Sequence, residues 1–226
     1  MTGVSRDRLA EELRGFGPLG LLAMLVIVFA GNVPWVPLGA ILALAWVRWS
    51  RTPWRELGFV RPRSWIVTVV AGLVLGVAFK LLMKSVVMPL LGADPINPAF
   101  HHLVCNRAAL PMAIYTMVVV AGFGEETVFR GYLFERLGKL WGSSARAKAG
   151  IVLLTSAWFG VAHVSLQGLA GAQQATLVGL VFGAIYAVTG RIWMLMIAHA
   201  AFDLTALGVI YWDLEREVAH WFFAPD

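Results

Sequence analysis

Gly122-Phe123-Gly124-Glu125-Glu126-Thr127-Val128-Phe129-Arg130-Gly131-Tyr132-Leu133-Phe134-Glu135-Arg136 sets two glutamates and an arginine inside a largely apolar run. Ionised groups at that depth cost free energy unless they are paired or solvated. The rest of the chain must therefore supply what Glu125, Glu126 and Arg130 face.

Around this stretch the chain is too apolar for a soluble domain. Hydrophobic residues make up 59% of it and charged residues 14%, with a mean hydropathy of +0.76. That composition predicts an all-α polytopic bundle. A span takes about 20 residues, so 226 residues allow six to seven transmembrane helices and no sizeable soluble domain. The net charge of +5 sits largely in short loops between apolar runs, which points to topology and away from a nucleic-acid partner. One cysteine, Cys105, rules out an internal disulfide and a multi-cysteine zinc site.

Three segments follow. Residues 1–17 form a charged leader with Arg6, Arg8 and Arg14, residues 18–212 the bundle, and residues 213–226 a short acidic tail. Within the bundle, Pro34 and Pro37 make a turn or a kink between the apolar runs Leu19–Ala30 and Leu38–Val47. The loop Arg48–Arg63 carries five arginines against Glu56 alone and should face the cytoplasm. The chain then goes out over Trp65–Leu91 and returns over Leu110–Leu133. It goes out again over Ile151–Leu166, turns through Gln167–Gln174, and comes back over Thr176–Val188 before the last span, Trp193–Trp212. Lys80 and Lys84 share a helix face near the outer end of their span and read as snorkelling side chains. Asp94, His101 and His102 fall in the outer loop.

At about 100° per residue, Glu126 and Arg130 lie about 40° apart on one helix and form an i,i+4 ion pair, whereas Glu125 points elsewhere. Glu125 shares its stripe with Phe129 and Tyr132, an aromatic wall suited to a general base. His163 falls on the stripe Ser156, Phe159, His163, Gln167. His199 and Asp203 are four apart on the last span, so that the carboxylate can orient the imidazole. Two histidines on separate spans, one with an acid partner, point to a polar cavity.

Glu125-Glu126-x-x-x-Arg130, Phe159-x-x-x-His163 and His199-x-x-x-Asp203, in this order on three hydrophobic segments, resemble the CAAX protease and bacteriocin-processing family of intramembrane endopeptidases, also called CPBP or Abi. The resemblance covers about residues 121–207, and Trp54-Arg55-Glu56-Leu57-Gly58 is similar to a segment that often precedes the family core. It implies hydrolysis of a peptide bond in a membrane-associated or lipidated peptide or protein, with membrane lipid as surroundings. Glu125, His163, His199 and Asp203 would be catalytic, and Glu126, Arg130 and Phe159 structural or substrate-positioning. Two mechanisms stay open. In one, Glu125 assisted by His163 activates water, and His199 oriented by Asp203 stabilises the oxyanion. In the other, Glu125, His163, His199 and Asp203 hold Zn²⁺. A small, loop-poor chain of this kind resembles prokaryotic members of the inner membrane. A proton-coupled transporter or a non-catalytic immunity or scaffold protein is the competing class, although no motif repeats between the halves as many transporters require.

Overall fold

The computed structural model describes residues 3–30 and 35–223. Among the described residues there are eight helices: α1 Gly3–Arg14, α2 Pro18–Phe29, α3 Leu38–Ser50, α4 Trp65–Leu90, α5 Leu110–Trp141, α6 Ala145–Thr189, α7 Trp193–Tyr211 and α8 Glu215–Ala219. Single helical turns at Trp54–Leu57 and His101–Leu103 lie in the loops. No strand occurs among the described residues.

Helices α4, α5, α6 and α7 are long and apolar enough to cross a membrane, and the pair α1 and α2, bent by 64°, makes a fifth candidate. Outward-facing Ile66, Val70 and Val74 on α4 are exposed, as side chains lying against acyl chains would be. Helix α6 is folded on itself at Gly168, whose φ of 64° and ψ of −162° leave the helical region. Its arms run antiparallel: an added Cβ at Gly160 would meet Thr176, and one at Gly179 would meet Ser156. Each arm of the hairpin thus has about the length of one pass. The second of the two expected N-terminal passes fails on length, because α3 has 13 residues and spans about 20 Å, short of the hydrocarbon core of about 30 Å. The turn expected over Gln167–Gln174 is tighter than that, since the helix resumes immediately after Gly168. The bend expected at Pro34 lies outside the described residues, while Pro37 caps the start of α3.

The charged leader packs onto the bundle. Arg136, at the end of α5, donates from both guanidinium nitrogens to Arg14 O and Gly15 O at 2.8 Å, satisfying carbonyls left free at the end of α1. Trp46 Nε1 of α3 donates to Leu13 O at 3.0 Å, and its ring meets Tyr132 edge-on at 4.9 Å. In the Trp54–Gly58 segment, Leu57 is fully buried and Gly58 O accepts from Ile192 N at 3.1 Å, fixing where α7 begins.

Small residues set the distances around α7. An added Cβ at Gly76 of α4 would lie 2.2 Å from Ala198 O, and one at Gly122 of α5 would lie 3.0 Å from the Ala200 Cβ. Close backbone approach of this kind is how membrane helices gain dispersion contacts when lipid offers no hydrophobic contrast. The turn of α7 that carries His199 is therefore held on both sides by backbone. The substitution Gly76→Ala is expected to destabilise the bundle by about 1–3 kcal/mol. Thermal unfolding in detergent measures it, and an unchanged melting temperature would mean that α4 and α7 are not this close.

Candidate active site

Helix α5 decides the site through its hydrogen bonding. Over Thr116–Glu125 and Thr127–Tyr132 it forms wide i→i+5 turns instead of i→i+4 turns. A wider turn rotates successive side chains by less than an α-helix does, so Glu125 and Glu126 both reach α7. Their expected separation onto different faces is corrected here: the two glutamates meet the same imidazole from opposite sides.

Glu126 Oε1 accepts from Arg130 Nη1 at 2.7 Å and lies 2.8 Å from His199 Nδ1. Glu126 is completely buried, Arg130 is 2% exposed and His199 5%. A carboxylate only accepts, so Nδ1 of His199 carries the proton in this bond. On the other side of the ring, Nε2 lies 3.8 Å from Glu125 Oε2 and 3.7 Å from Asp203 Oδ2. Both separations are too long for a direct hydrogen bond. The residue that orients His199 is thus Glu126; Asp203, expected in that role, shares the Nε2 side with Glu125. Sequence spacing favoured Asp203 because it lies one turn away on the same helix, whereas Glu126 is 73 residues distant.

Phe159 is the hub of the surrounding wall. Its ring lies edge-on to Phe129 at 4.8 Å, to His163 at 4.6 Å and to His199 at 6.0 Å, and the Arg130 guanidinium sits 4.9 Å above it. With Phe182 5.7 Å away on another side, Arg130 is enclosed by aromatic faces, an arrangement that favours a cation. Nδ1 of His163 bonds to the Phe159 carbonyl at 2.7 Å, which leaves Nε2 of the neutral ring as an acceptor. Glu125 and His163 line one cavity of about 210 Å³, walled by Phe29 of α2, Pro37 beside α3, and Phe129 and Trp158. Tyr132 is not part of that wall, being fully buried against Trp46. Ser156 and Gln167, on the same stripe as His163, pack against Gly179 and Gly171 and close the hairpin.

One side chain lay outside the sequence reading and two take a different role from the one expected. Phe182 has no distinguishing local signal; it stands 5.9 Å from the His199 ring. Lys80 was read as snorkelling but is 8% exposed and donates to Gln174 Oε1 at 3.0 Å. Lys84, likewise, is paired at 3.0 Å with Glu215, a buried residue of the tail. A charged residue within a span was the signal for both lysines, and the long-range partners were not visible in it.

The Zn²⁺ reading meets a poor fit. Among the described residues no group of three or more His, Cys, Asp or Glu side chains is arranged to hold a metal ion. Zinc needs its nitrogen and oxygen ligands about 2.0–2.2 Å from one point.

Residues 107–205 match the family model described as Type II CAAX prenyl endopeptidase Rce1-like. Over this stretch the chain is similar to CAAX prenyl endopeptidases. The matched segment runs from just before α5 to within α7 and contains Glu125, Glu126, Arg130, Phe159, His163, His199 and Asp203. No curated protein and no solved structure matches the chain.

Removing Glu126 and removing Glu125 should have different costs. Glu126→Ala leaves the Arg130 guanidinium buried and unpaired and is expected to cost about 3–5 kcal/mol of stability. Glu125, whose side chain is 22% accessible, should cost less than about 1 kcal/mol on truncation to Ala. Unfolding of the two variants in detergent compares them; equal losses would contradict the geometry.

Proposed function

We propose that this protein is an intramembrane endopeptidase that hydrolyses a peptide bond in a membrane-associated or lipidated peptide. The observation that carries the proposal is the arrangement of three carboxylates around one imidazole. Glu126 lies at Nδ1 of His199, Glu125 and Asp203 lie at Nε2, and Glu125 opens onto the same apolar cavity as His163. A transporter needs a path with alternating access; here a possible donor, Nε2 of His199, faces the Glu125 carboxylate at 3.8 Å.

In the proposed reaction a water between Glu125 and His163 attacks the scissile carbonyl carbon. Glu125 takes its proton, with His163 Nε2 as a second acceptor that holds the water. The C–O bond forms as the carbonyl π pair moves to oxygen. The His199 ring carries protons on both nitrogens in this role. Nδ1–H stays on Glu126, and Nε2–H points to the developing oxyanion, an electrostatic contribution that is large where water is excluded. Glu126 and Asp203 offset the imidazolium charge. Collapse of the tetrahedral intermediate breaks the C–N bond, and the proton on Glu125 passes to the leaving amine. Arg130 and Phe159 hold Glu126 and the two histidines in register.

The cavity walled by Phe29, Phe129 and Trp158 suits an apolar side chain or a lipid chain next to the scissile bond. The loop charges favour a cytoplasmic leader, and the loop-poor chain favours the inner membrane of a prokaryote as its location. Zinc has no step in the reaction.

Two outcomes test this reading. Purified protein incubated with farnesylated or plain hydrophobic peptides should cleave at least one of them. Glu125→Ala and His199→Ala should each lower kcat/KM by about 10²–10⁴. Normal cleavage by both variants would overturn the assignment, and flux of the peptide without cleavage would favour a transporter. Treatment with a zinc chelator should leave the rate unchanged, with folding checked in parallel. A loss restored by added zinc would reinstate the metal mechanism.

A further inference from the structure

Helices α4 and α7 begin side by side. Trp65 is the first residue of α4 and Trp193 the first of α7, and their rings meet edge-on at 5.5 Å. The contact continues from Trp193 to Phe59 at 5.4 Å and from Phe59 to Trp54 at 5.7 Å. The bond from Ile192 N to Gly58 O ties together the two segments that carry these rings. Four aromatic rings thus form one row at the end of the bundle that the loop charges assign to the cytoplasm. Trp54 and Trp65, at the two ends of the row, are exposed. So are Ile66 and Val67, the first apolar side chains of the span, and the row therefore stands where the hydrocarbon ends. Tryptophan favours that depth because its ring is apolar and its N–H polar.

Arginines stand beside this row in the chain. Arg55 follows Trp54, Arg61 and Arg63 lie between Phe59 and Trp65, and Arg191 precedes Trp193 by two residues. The first three are exposed and Arg191 is half-buried. Among the described residues none of the four lies within ion-pair distance of a carboxylate. The one acid of their loop, Glu56, is taken by Lys139 at 2.8 Å, and Asp7 is taken by Arg51. Other cytoplasmic loops are basic as well, and Arg146 and Lys148 are exposed on one of them. What distinguishes this face is that its unpaired guanidinium groups adjoin a row of rings at the hydrocarbon edge.

A guanidinium group matches the oxygens of a phosphate with two parallel hydrogen bonds. An acidic protein segment would also pair with the arginines, but it has no use for rings at that depth. A phospholipid meets both, with its phosphate against the arginines and its glycerol region against the tryptophans. We propose that this face binds the headgroups of anionic phospholipids through Arg55, Arg61, Arg63 and Arg191, beside the row Trp54, Phe59, Trp193 and Trp65. The inference concerns the membrane around the protein and does not rest on the endopeptidase reading.

Native mass spectrometry of the purified full chain tests it, after equilibration in micelles with equal amounts of phosphatidylglycerol and phosphatidylcholine of identical acyl chains. The wild type should retain phosphatidylglycerol in excess, and the excess should shrink as salt is raised. Arg55→Gln, Arg61→Gln, Arg63→Gln and Arg191→Gln should each weaken phosphatidylglycerol binding about fivefold, the share of one arginine near an anionic surface. Lysine at the same positions keeps the charge and should retain most of the binding. The double variant Arg146→Gln with Lys148→Gln removes charge from a cytoplasmic loop away from the row and should leave the preference unchanged. Melting in detergent verifies folding, and any arginine variant that folds serves the test. Equal retention of the two lipids by the wild type overturns the proposal and leaves the arginines to an acidic protein. Unchanged binding in the folded arginine variants also overturns it, as does an equal loss in the Arg146 and Lys148 variant, because net charge alone would then account for the preference.

Discussion

One oxygen atom, Oε1 of Glu126, binds donors from two helices. Arg130 reaches it from one turn further along α5, and His199 reaches it from α7. All three residues are at most 5% exposed, so each charge is compensated within the protein, with little help from water. In such surroundings a hydrogen bond between ionised partners is short and strong, and removing one partner leaves the other stranded. The bond fixes the rotation of the imidazole, and with it what Nε2 can face. Glu125 and Asp203 then define the reactive side.

Much of the remaining architecture serves to bring α5 and α7 to that distance. Gly76 and Gly122 let the neighbouring backbones approach α7 on both sides. The i→i+5 turns of α5 swing Glu125 and Glu126 toward the same ring. The hairpin of α6 folds at Gly168 and lays Phe159 and Phe182 on the Arg130 guanidinium, sealing the ion pair in aromatic rings. The leader, tied to α5 through Arg136, belongs to the same body.

The residue types of this site were legible in the sequence, because an acid, a base or a histidine inside an apolar span has few explanations. The membership of the cluster followed from that alone: Glu125, Glu126, Arg130, His163, His199 and Asp203 all occupy membrane segments. Pairing was the harder matter. A spacing of four on one helix joins Glu126 to Arg130 correctly, but it also suggested Asp203 for His199, where the actual partner comes from α5. Helical wheels assume 100° per residue, and the wide turns of α5 break that assumption where the glutamates sit. The lysines of α4 were misjudged for a related reason: the rule that long cations snorkel considers one helix and the lipid, whereas Gln174 and Glu215 come from elements 94 and 131 residues away. Of the expected passes, α3 starts at Leu38, where its apolar run starts, but its 13 residues are too few to cross the hydrocarbon core.

The central claim is that Glu126 and Glu125 divide the two sides of one imidazole, the first holding it and the second working with it. Nitrogen NMR of selectively labelled His199 in detergent addresses this most directly. The account requires a protonated, exchange-protected Nδ1 in the wild type that survives Glu125→Ala and loses its protection in Glu126→Ala. An Nδ1 signal that ignores Glu126→Ala, or that changes instead with Glu125→Ala, would contradict it.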